Sequence, residues 1–111
     1  MKVNVSDGGS GVLLVEPVGD IDGKTAPDFQ EQVVSQIQPS GRMVINLEQV
    51  AFMSSAGLRA MLLVYREAKT RNAKLALAGV NKDIRNSMAA TGFLAFFVVS
   101  DNVAEAIKAV A

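Results

Sequence analysis

The chain contains neither cysteine nor histidine among its 111 residues. Without cysteine it cannot form disulfides, thiolate metal sites or a cysteine nucleophile. Without histidine it cannot build a Ser-His-Asp triad, a His-ligated zinc site, a phosphohistidine relay or a histidine general base. These two absences remove much of the chemistry that enzymes commonly use.

Aromatic residues are also scarce, with five phenylalanines, one tyrosine and no tryptophan. Eleven basic residues balance eleven acidic ones, so the formal net charge is zero. Nucleic-acid binding usually requires a basic excess, and single-strand binding requires aromatic stacking platforms. We therefore predict no nucleic-acid partner.

Long apolar runs are absent as well. The first seven residues lack the apolar core of a secretory signal. The most apolar stretch, residues 93–99, is too short to span a bilayer. Together with the lack of cysteine, these patterns predict a cytoplasmic protein with no direct membrane insertion.

The charges are unevenly distributed along the chain. Residues 1–54 hold three basic and seven acidic side chains, whereas residues 55–111 hold eight basic and four acidic ones. Either the two halves of one domain attract each other weakly, or an acidic end and a basic end orient a partner. The sequence leaves both interpretations open.

The length fits a single domain, residues 1–111, because a second domain would be too small to bury its own core. Apolar periodicity and turn residues predict the order β-β-α-β-α-β-α-β-α. Strands are expected at residues 2–6, 12–15, 42–47, 74–78 and 96–99, and helices after Thr25, from about Ser55 to Thr70, after Asn81, and after Ser100 or Asn102. This order predicts an α/β fold with a mixed, mostly parallel sheet of four or five strands and about four helices packed on it.

Helical spacing predicts which side chains the first two helices bury. The predicted buried positions are Phe29, Val33 and Ile37 in the first helix and Leu58, Met61, Leu62 and Tyr65 in the second. Thr25 is the predicted N-cap of the first helix. Glu67 and Arg71 have the spacing of an i, i+4 ion pair.

One stretch, residues 50–59, is less easily explained by packing alone, because it enters the longest helix through two serines, an alanine and a glycine. Small residues allow another backbone to approach closely, and the first turn of a helix offers unpaired N–H groups to an anion. Arg59 lies one turn after Ser55, within reach of a phosphate on that hydroxyl. The simpler interpretation is that a serine only caps the helix, a contribution of about 1 kcal/mol. The residues by themselves favour the cap.

The run FMSSAGLR at residues 52–59 nevertheless resembles the signature of STAS domains, specifically the small bacterial anti-sigma factor antagonists. The segment GDID at 19–22, followed by TAP at 25–27, is similar to an early Gly-Glu-(Leu/Ile)-Asp segment of that family. Residues 84–94 resemble the family helix that ends in Thr-Gly-Leu. The three motifs occur in the expected order across essentially the whole chain, and the predicted strand order agrees with the family fold.

The resemblance implies a partner switch. In that family, the unphosphorylated antagonist binds an anti-sigma factor that is also a serine kinase, which then releases its sigma factor for transcription. Phosphorylation of one serine breaks the complex, and a PP2C-type phosphatase restores it. By position the phospho-acceptor is Ser55, with Ser54 as the alternative. The residues that the resemblance assigns to partner contact are Asp20, Asp22, Ser54, Ala56, Gly57, Leu58 and Arg59. It implies no catalytic residue, cofactor or metal.

Two positions depart from the family pattern. Ser54 stands where several members have an aspartate, and Ala56 stands where those members have a second small or hydroxyl residue. The first change removes a charge beside the acceptor.

Two other functions compete with this interpretation. The chain could be a STAS interaction subunit with no phospho-switch, for example an accessory component of a membrane transporter. It could also be a nucleotide-binding or hydrolytic enzyme, but neither Gly-x-x-x-x-Gly-Lys-(Ser/Thr) nor Gly-x-Gly-x-x-Gly occurs at a strand-to-helix turn. The available carboxylates, Asp20, Asp22, Asp28 and Glu48, are interpreted as surface charges.

Overall fold

A single five-stranded sheet organises the chain, and its strands lie in the order β1-β2-β3-β4-β5. The computed structural model describes residues 1–111. The strands are β1 (Lys2–Gly9), β2 (Val12–Val18), β3 (Arg42–Asn46), β4 (Lys74–Ala78) and β5 (Val98–Ser100). β1 pairs antiparallel with β2 as a hairpin, and the other neighbours are parallel. The predicted α/β fold with a mixed, mostly parallel sheet is confirmed.

Four α-helices connect and cover the strands. They are α1 (Ala26–Val34), α2 (Ser55–Thr70), α3 (Lys82–Ala90) and α4 (Val103–Val110). The core between the sheet and α1, α2 and α3 is the larger of two, and α4 closes a smaller core on the opposite face. No helix is both long enough and apolar enough to cross a bilayer.

Strand β3 shows how the sheet supplies both cores. Its side chains alternate between the two faces, as successive residues of a strand do. Met43 and Ile45 belong to the larger core, and Val44 between them belongs to the smaller one. A strand covered on both faces is apolar throughout, which explains the continuous run in the sequence.

The predicted helix faces are partly wrong. Helix α1 ends at Val34, so Ile37 is buried from the loop that follows and not from the helix. In α2, Leu58 and Met61 are buried as predicted, but Leu62 and Tyr65 are only half-buried. The stripe continues instead through Val64 and Ala68, since a period of 3.6 residues returns to those positions.

The last strand begins later than the sequence pattern predicts. Gly92 adopts a left-handed conformation (φ 79°) after α3, and Phe93–Phe96 then form a short 3₁₀ helix. This turn brings Phe96 and Phe97 against Tyr65, with ring centroids 5.6 and 5.4 Å apart. The strand therefore covers Val98–Ser100 and not residues 96–99. Asn102, one of the two predicted caps for α4, accepts from the Glu105 N–H at 2.9 Å.

One buried polar side chain, Asn46, stands at the end of β3 with 5% of its surface exposed. Its amide nitrogen donates to the Glu16 carboxylate on β2 at 2.9 Å, and its amide oxygen accepts from the Glu48 N–H at 3.2 Å. Because these hydrogen bonds are made, Asn46 avoids the cost of about 1–3 kcal/mol for an unsatisfied buried group.

Arg71, directly after α2, joins the ends of two helices. Its guanidinium pairs with Glu67 at 3.4 Å, which confirms the predicted i, i+4 pair. It also donates to the carbonyl oxygens of Val34 and Ile37, both at 2.9 Å. Val34 is the last residue of α1 and Ile37 lies in the loop that follows, so neither carbonyl has an acceptor role in the α-helical ladder.

We expect Arg71→Met to lower the free energy of unfolding by about 2 kcal/mol, because charge-assisted hydrogen bonds to two carbonyls are lost. Urea denaturation measures the change. The matched control is Arg66→Met within α2, where the exposed side chain makes no hydrogen bond or ion pair. The control should shift stability by less than about 0.5 kcal/mol. Equal losses in the two variants would contradict this role for Arg71.

Candidate functional site

The site is built where residues 19–22, here called the acidic strap, lie against residues 49–54, here called the approach segment. The approach segment leads from β3 to the first residue of α2. Three backbone hydrogen bonds of 3.0 Å join the two, from Gly19 N–H to Gln49 O, from Ile21 N–H to Phe52 O and from Ser54 N–H to Ile21 O. Ile21 and Met53 pair as an isolated parallel bridge, and both side chains are buried. The backbone leading to α2 is therefore fixed from one side by the strap.

Gly57 allows the strap to pack this closely. It lies in the first turn of α2 and is buried. A Cβ added there would collide with the carbonyl oxygen of Ile21 and would lie 2.7 Å from Cγ of Met53. A glycine inside a helix costs up to about 1 kcal/mol relative to alanine. Its presence here is explained by the close approach of the strap.

The two candidate serines occupy different environments. Ser54 is the N-cap of α2, and its side-chain oxygen accepts from the Gly57 N–H at 3.3 Å. Its backbone oxygen accepts from the Leu58 N–H at 2.9 Å, and the residue is half-buried. Ser55 is exposed, and its hydroxyl makes no hydrogen bond within the chain. The cap function expected of this motif thus belongs to Ser54 and leaves the Ser55 hydroxyl free.

The residues that follow Ser55 divide into a surface set and a buried set. Ala56 is partly exposed, and Arg59 is exposed with no carboxylate partner. Leu58 is only 5% exposed and belongs to the larger core, and Gly57 beside it is also buried. Among these residues, Ser55, Ala56 and Arg59 therefore present the accessible surface.

The acidic strap contains two aspartates with different surroundings. Asp22 accepts from the backbone N–H groups of Lys24 at 2.9 Å and Thr25 at 3.2 Å. These hydrogen bonds, that from Lys24 first, favour the charged carboxylate and lower its pKa from the ordinary 3.8. Asp20 is exposed, and its carboxylate makes no hydrogen bond within the chain. Asp22 therefore shapes the turn, whereas the Asp20 carboxylate is exposed to solvent.

Thr25 is the N-cap residue of α1, as predicted, but its hydroxyl does not accept a hydrogen bond from a helix N–H. It accepts instead from the Asp22 N–H at 2.9 Å and donates to the Asp20 carbonyl at 2.7 Å. The hydroxyl closes the strap turn, which explains a threonine before the helix without a capping bond.

Two further residues shape the site. The predicted cap of α3 by Asn81 is confirmed, whereas the exposure of Phe52 and the bond from Asn81 to the approach segment were not indicated by the sequence pattern. Phe52 is 54% exposed although Met53 beside it is buried. Asn81 caps α3 by accepting from the Ile84 N–H at 2.8 Å, while its amide nitrogen donates to the Ala51 carbonyl at 2.9 Å. The approach segment is thereby held by α3 on the side away from the strap. No group of three or more Asp, Glu, His or Cys side chains is arranged to hold a metal ion.

We expect Gly57→Ala to destabilise the fold by about 1–3 kcal/mol, because the new methyl group forces the Ile21 carbonyl away from α2. Thermal unfolding measures the change. Gly23→Ala is the control, since a Cβ at that position meets nothing within 4 Å. The control should be close to neutral, and a Gly57 variant as stable as the control would refute the packing argument.

Asp22 should also leave a signature in acid. Because its pKa is lowered in the folded state, the stability that it contributes is present above the ordinary Asp pKa and lost as the pH falls through the lowered value. Carboxyl-carbon NMR titration should place the Asp22 pKa below that of an aspartate in an unstructured peptide. Asp22→Asn should reduce the acid dependence of unfolding, and Asp28, whose pKa the Met1 ammonium and Gln32 lower, should account for part of the remainder. An ordinary titration of Asp22 would disprove its role in the turn.

Known proteins share both this sequence pattern and this architecture. A family model described as the STAS domain matches residues 5–106. An anti-sigma F factor antagonist of Paenibacillus polymyxa is 26% identical over 99 residues, covering 87% of this chain and 85% of that protein.

Two solved structures have folds similar to that of this chain. The crystal structure of an anti-sigma factor antagonist from Mycobacterium paratuberculosis superposes with a TM-score of 0.85 and 25% identity, covering 98% of this chain and 92% of that one. Part of the murine anion transporter Solute Carrier 26 family member A9 also matches, with a TM-score of 0.80, 14% identity, 90% of this chain and 18% of that one. At that identity, the likeness to the transporter extends to the fold alone. Because the family model covers most of its length, this chain belongs to the STAS domain family.

Proposed function

We propose that this protein is an anti-sigma factor antagonist that acts by partner switching in the cytoplasm. In its unphosphorylated form it binds an anti-sigma factor with serine kinase activity and so controls transcription. Phosphorylation of Ser55 ends the binding, and a PP2C-type phosphatase restores it. The names of the relatives from Paenibacillus polymyxa and Mycobacterium paratuberculosis support the role. The proposal assigns the chain a binding role and no catalysis.

The observation that carries the proposal is the difference between the two serines. The hydroxyl of Ser55 is exposed and unbonded at the N-terminus of α2, whereas the Ser54 oxygen is engaged with the Gly57 N–H. A kinase needs an accessible hydroxyl, and modifying Ser54 would remove the helix cap. Ser55 is therefore the proposed acceptor.

Phosphorylation at this place is compatible with an intact fold. A phosphoserine adds about −1.5 to −2 charges at pH 7, and negative charge is favourable at a helix N-terminus. The exposed Arg59 guanidinium, one turn further along α2, offers a charge-assisted hydrogen-bond donor to the phosphate. The modification should therefore change the surface and leave the domain folded.

The same charge opposes binding. A partner that packs on the small residues at 55 and 56 would have to desolvate a dianion, which costs several kcal/mol when the charge is left without a partner. A loss of about 4 kcal/mol weakens binding roughly a thousandfold. That is enough to dissociate a micromolar complex.

The proposed contact residues act in two ways. Asp20, Ala56 and Arg59 meet the partner directly, because their side chains are accessible. Four others, Asp22, Ser54, Gly57 and Leu58, hold that surface in place through the strap turn, the helix cap, the close backbone contact and the core.

The alternative is a STAS interaction subunit without a phospho-switch, such as an accessory component of a membrane transporter. The fold that this chain shares with part of the murine anion transporter keeps this alternative under consideration. In that case both serines serve the structure only, and a charge at position 55 has no particular effect on binding.

The test compares Ser55→Ala and Ser55→Asp as immobilised baits in an extract of the host. The Ala variant should retain an anti-sigma factor with a kinase domain, identified by mass spectrometry, and the Asp variant should not. With the purified protein, calorimetry should give at least a hundredfold weaker binding for the Asp variant.

A stability control and a second measurement accompany that comparison. Both variants should unfold at similar temperatures, because the substitution is exposed and at a helix N-terminus. Phosphopeptide mapping of the protein from its host should find the phosphate on Ser55. A folded Asp variant that binds as tightly as the Ala variant would contradict the switch and favour the alternative.

A further inference from the structure

Phe52 exposes an apolar ring on a backbone that cannot turn it inward. Its carbonyl accepts from the Ile21 N–H at 3.0 Å, and the next residue, Met53, pairs with Ile21 and is 4% exposed. Because side chains alternate along an extended segment, burying Met53 directs the Phe52 ring outward. The ring stays 54% exposed, and only two residues, Met53 and Ser54, lie between it and Ser55.

The ring forms one wall of a shallow groove of about 220 Å³, here called the Phe52 groove. Its lining residues are Ala51, Phe52 and Met53 from the approach segment and Asp83, Ile84 and Ser87 from α3. Asn81 fixes the two walls relative to each other, since its side chain both caps α3 and donates to the Ala51 carbonyl. The groove therefore exists before any partner arrives, which limits the entropy lost on binding.

We infer that the Phe52 groove is a second contact point for the anti-sigma factor that binds at Ser55, and that it receives an apolar side chain of that protein. The inference rests on the proposed function. Two observations select this occupant. Phe52 precedes Ser55 by three positions, so their Cα atoms lie no more than roughly 11 Å apart, and one partner can cover both. Asp83 is the only charged side chain in its lining, so the partner group beside the apolar one is neutral or basic.

Ser55 and Phe52 then have different roles at the interface. Ser55 controls whether the partner can bind, since its modification adds charge. Phe52 contributes affinity, since an aromatic anchor that becomes fully buried typically carries a large share of the binding free energy. The affinity should therefore depend on Phe52 even when position 55 cannot be phosphorylated.

The test uses the protein that the Ser55→Ala bait retains, purified and titrated against full-length variants in the Ser55→Ala background. Phe52→Ala should weaken binding at least tenfold. Phe96→Ala is the matched control, because that phenylalanine is 51% exposed but lies in the 3₁₀ helix, outside the groove. The control should change the affinity less than threefold.

A second variant tests the opposite wall. Ser87 is exposed on α3, so Ser87→Trp should fill the groove without disturbing the core and should also weaken binding at least tenfold. Thermal unfolding of each variant verifies that it is folded. If Phe52→Ala and Ser87→Trp both bind like the Phe96 control while Ser55→Asp does not bind, the groove is not a contact and the proposed switch stands. If Ser55→Asp binds as Ser55→Ala does, the proposed function fails and this inference fails with it.

Discussion

The arrangement of the site depends on the contact between Gly57 and the carbonyl of Ile21. Because position 57 has no side chain, the acidic strap lies directly on the first turn of α2 and hydrogen-bonds to the approach segment on its way there. The point at which α2 begins, the cap that Ser54 provides and the exposure of Ser55 all follow from this contact. Packing at one glycine thus helps to fix the backbone that presents the Ser55 hydroxyl to solvent.

The fold was largely predictable from the sequence, because strands and helices with one apolar face show a regular spacing of apolar residues along the chain. Errors arose where tertiary contacts overrode the local pattern. The strand predicted at residues 96–99 begins only at Val98, because Phe93–Phe96 form a 3₁₀ helix that packs Phe96 against Tyr65. Thr25 stands at the predicted N-cap, but its hydroxyl bonds within the strap, to the Asp22 N–H and the Asp20 carbonyl.

The site was predictable to the level of a motif but not to the level of an atom. The family signature drew attention to both serines, and the N-terminal position on a helix followed from the strand-to-helix turn. Which serine caps the helix depends on where its first turn begins, to within one residue, and sequence patterns do not fix helix ends that closely. The exposure of Phe52 was not predictable either. Phe52 and Met53 are both apolar neighbours, so the sequence does not indicate which of the two side chains is buried in the core.

Asn46 has a consequence for how the sheet assembles. Parallel strands form slowly, since residues distant in sequence must meet before their pairing is stabilised, and neighbouring registers compete during that search. A shift of β3 by one residue would turn the Asn46 amide toward the larger core, away from Glu16 and the Glu48 N–H. The misaligned sheet would bury the Asn46 amide without hydrogen-bond partners, which is unfavourable. Met43, Val44 and Ile45 before it are all apolar, so they would remain buried in either register and would not penalise the shift. A single amide at the end of the central strand therefore selects the correct alignment, and with it the position of the segment that leads to α2.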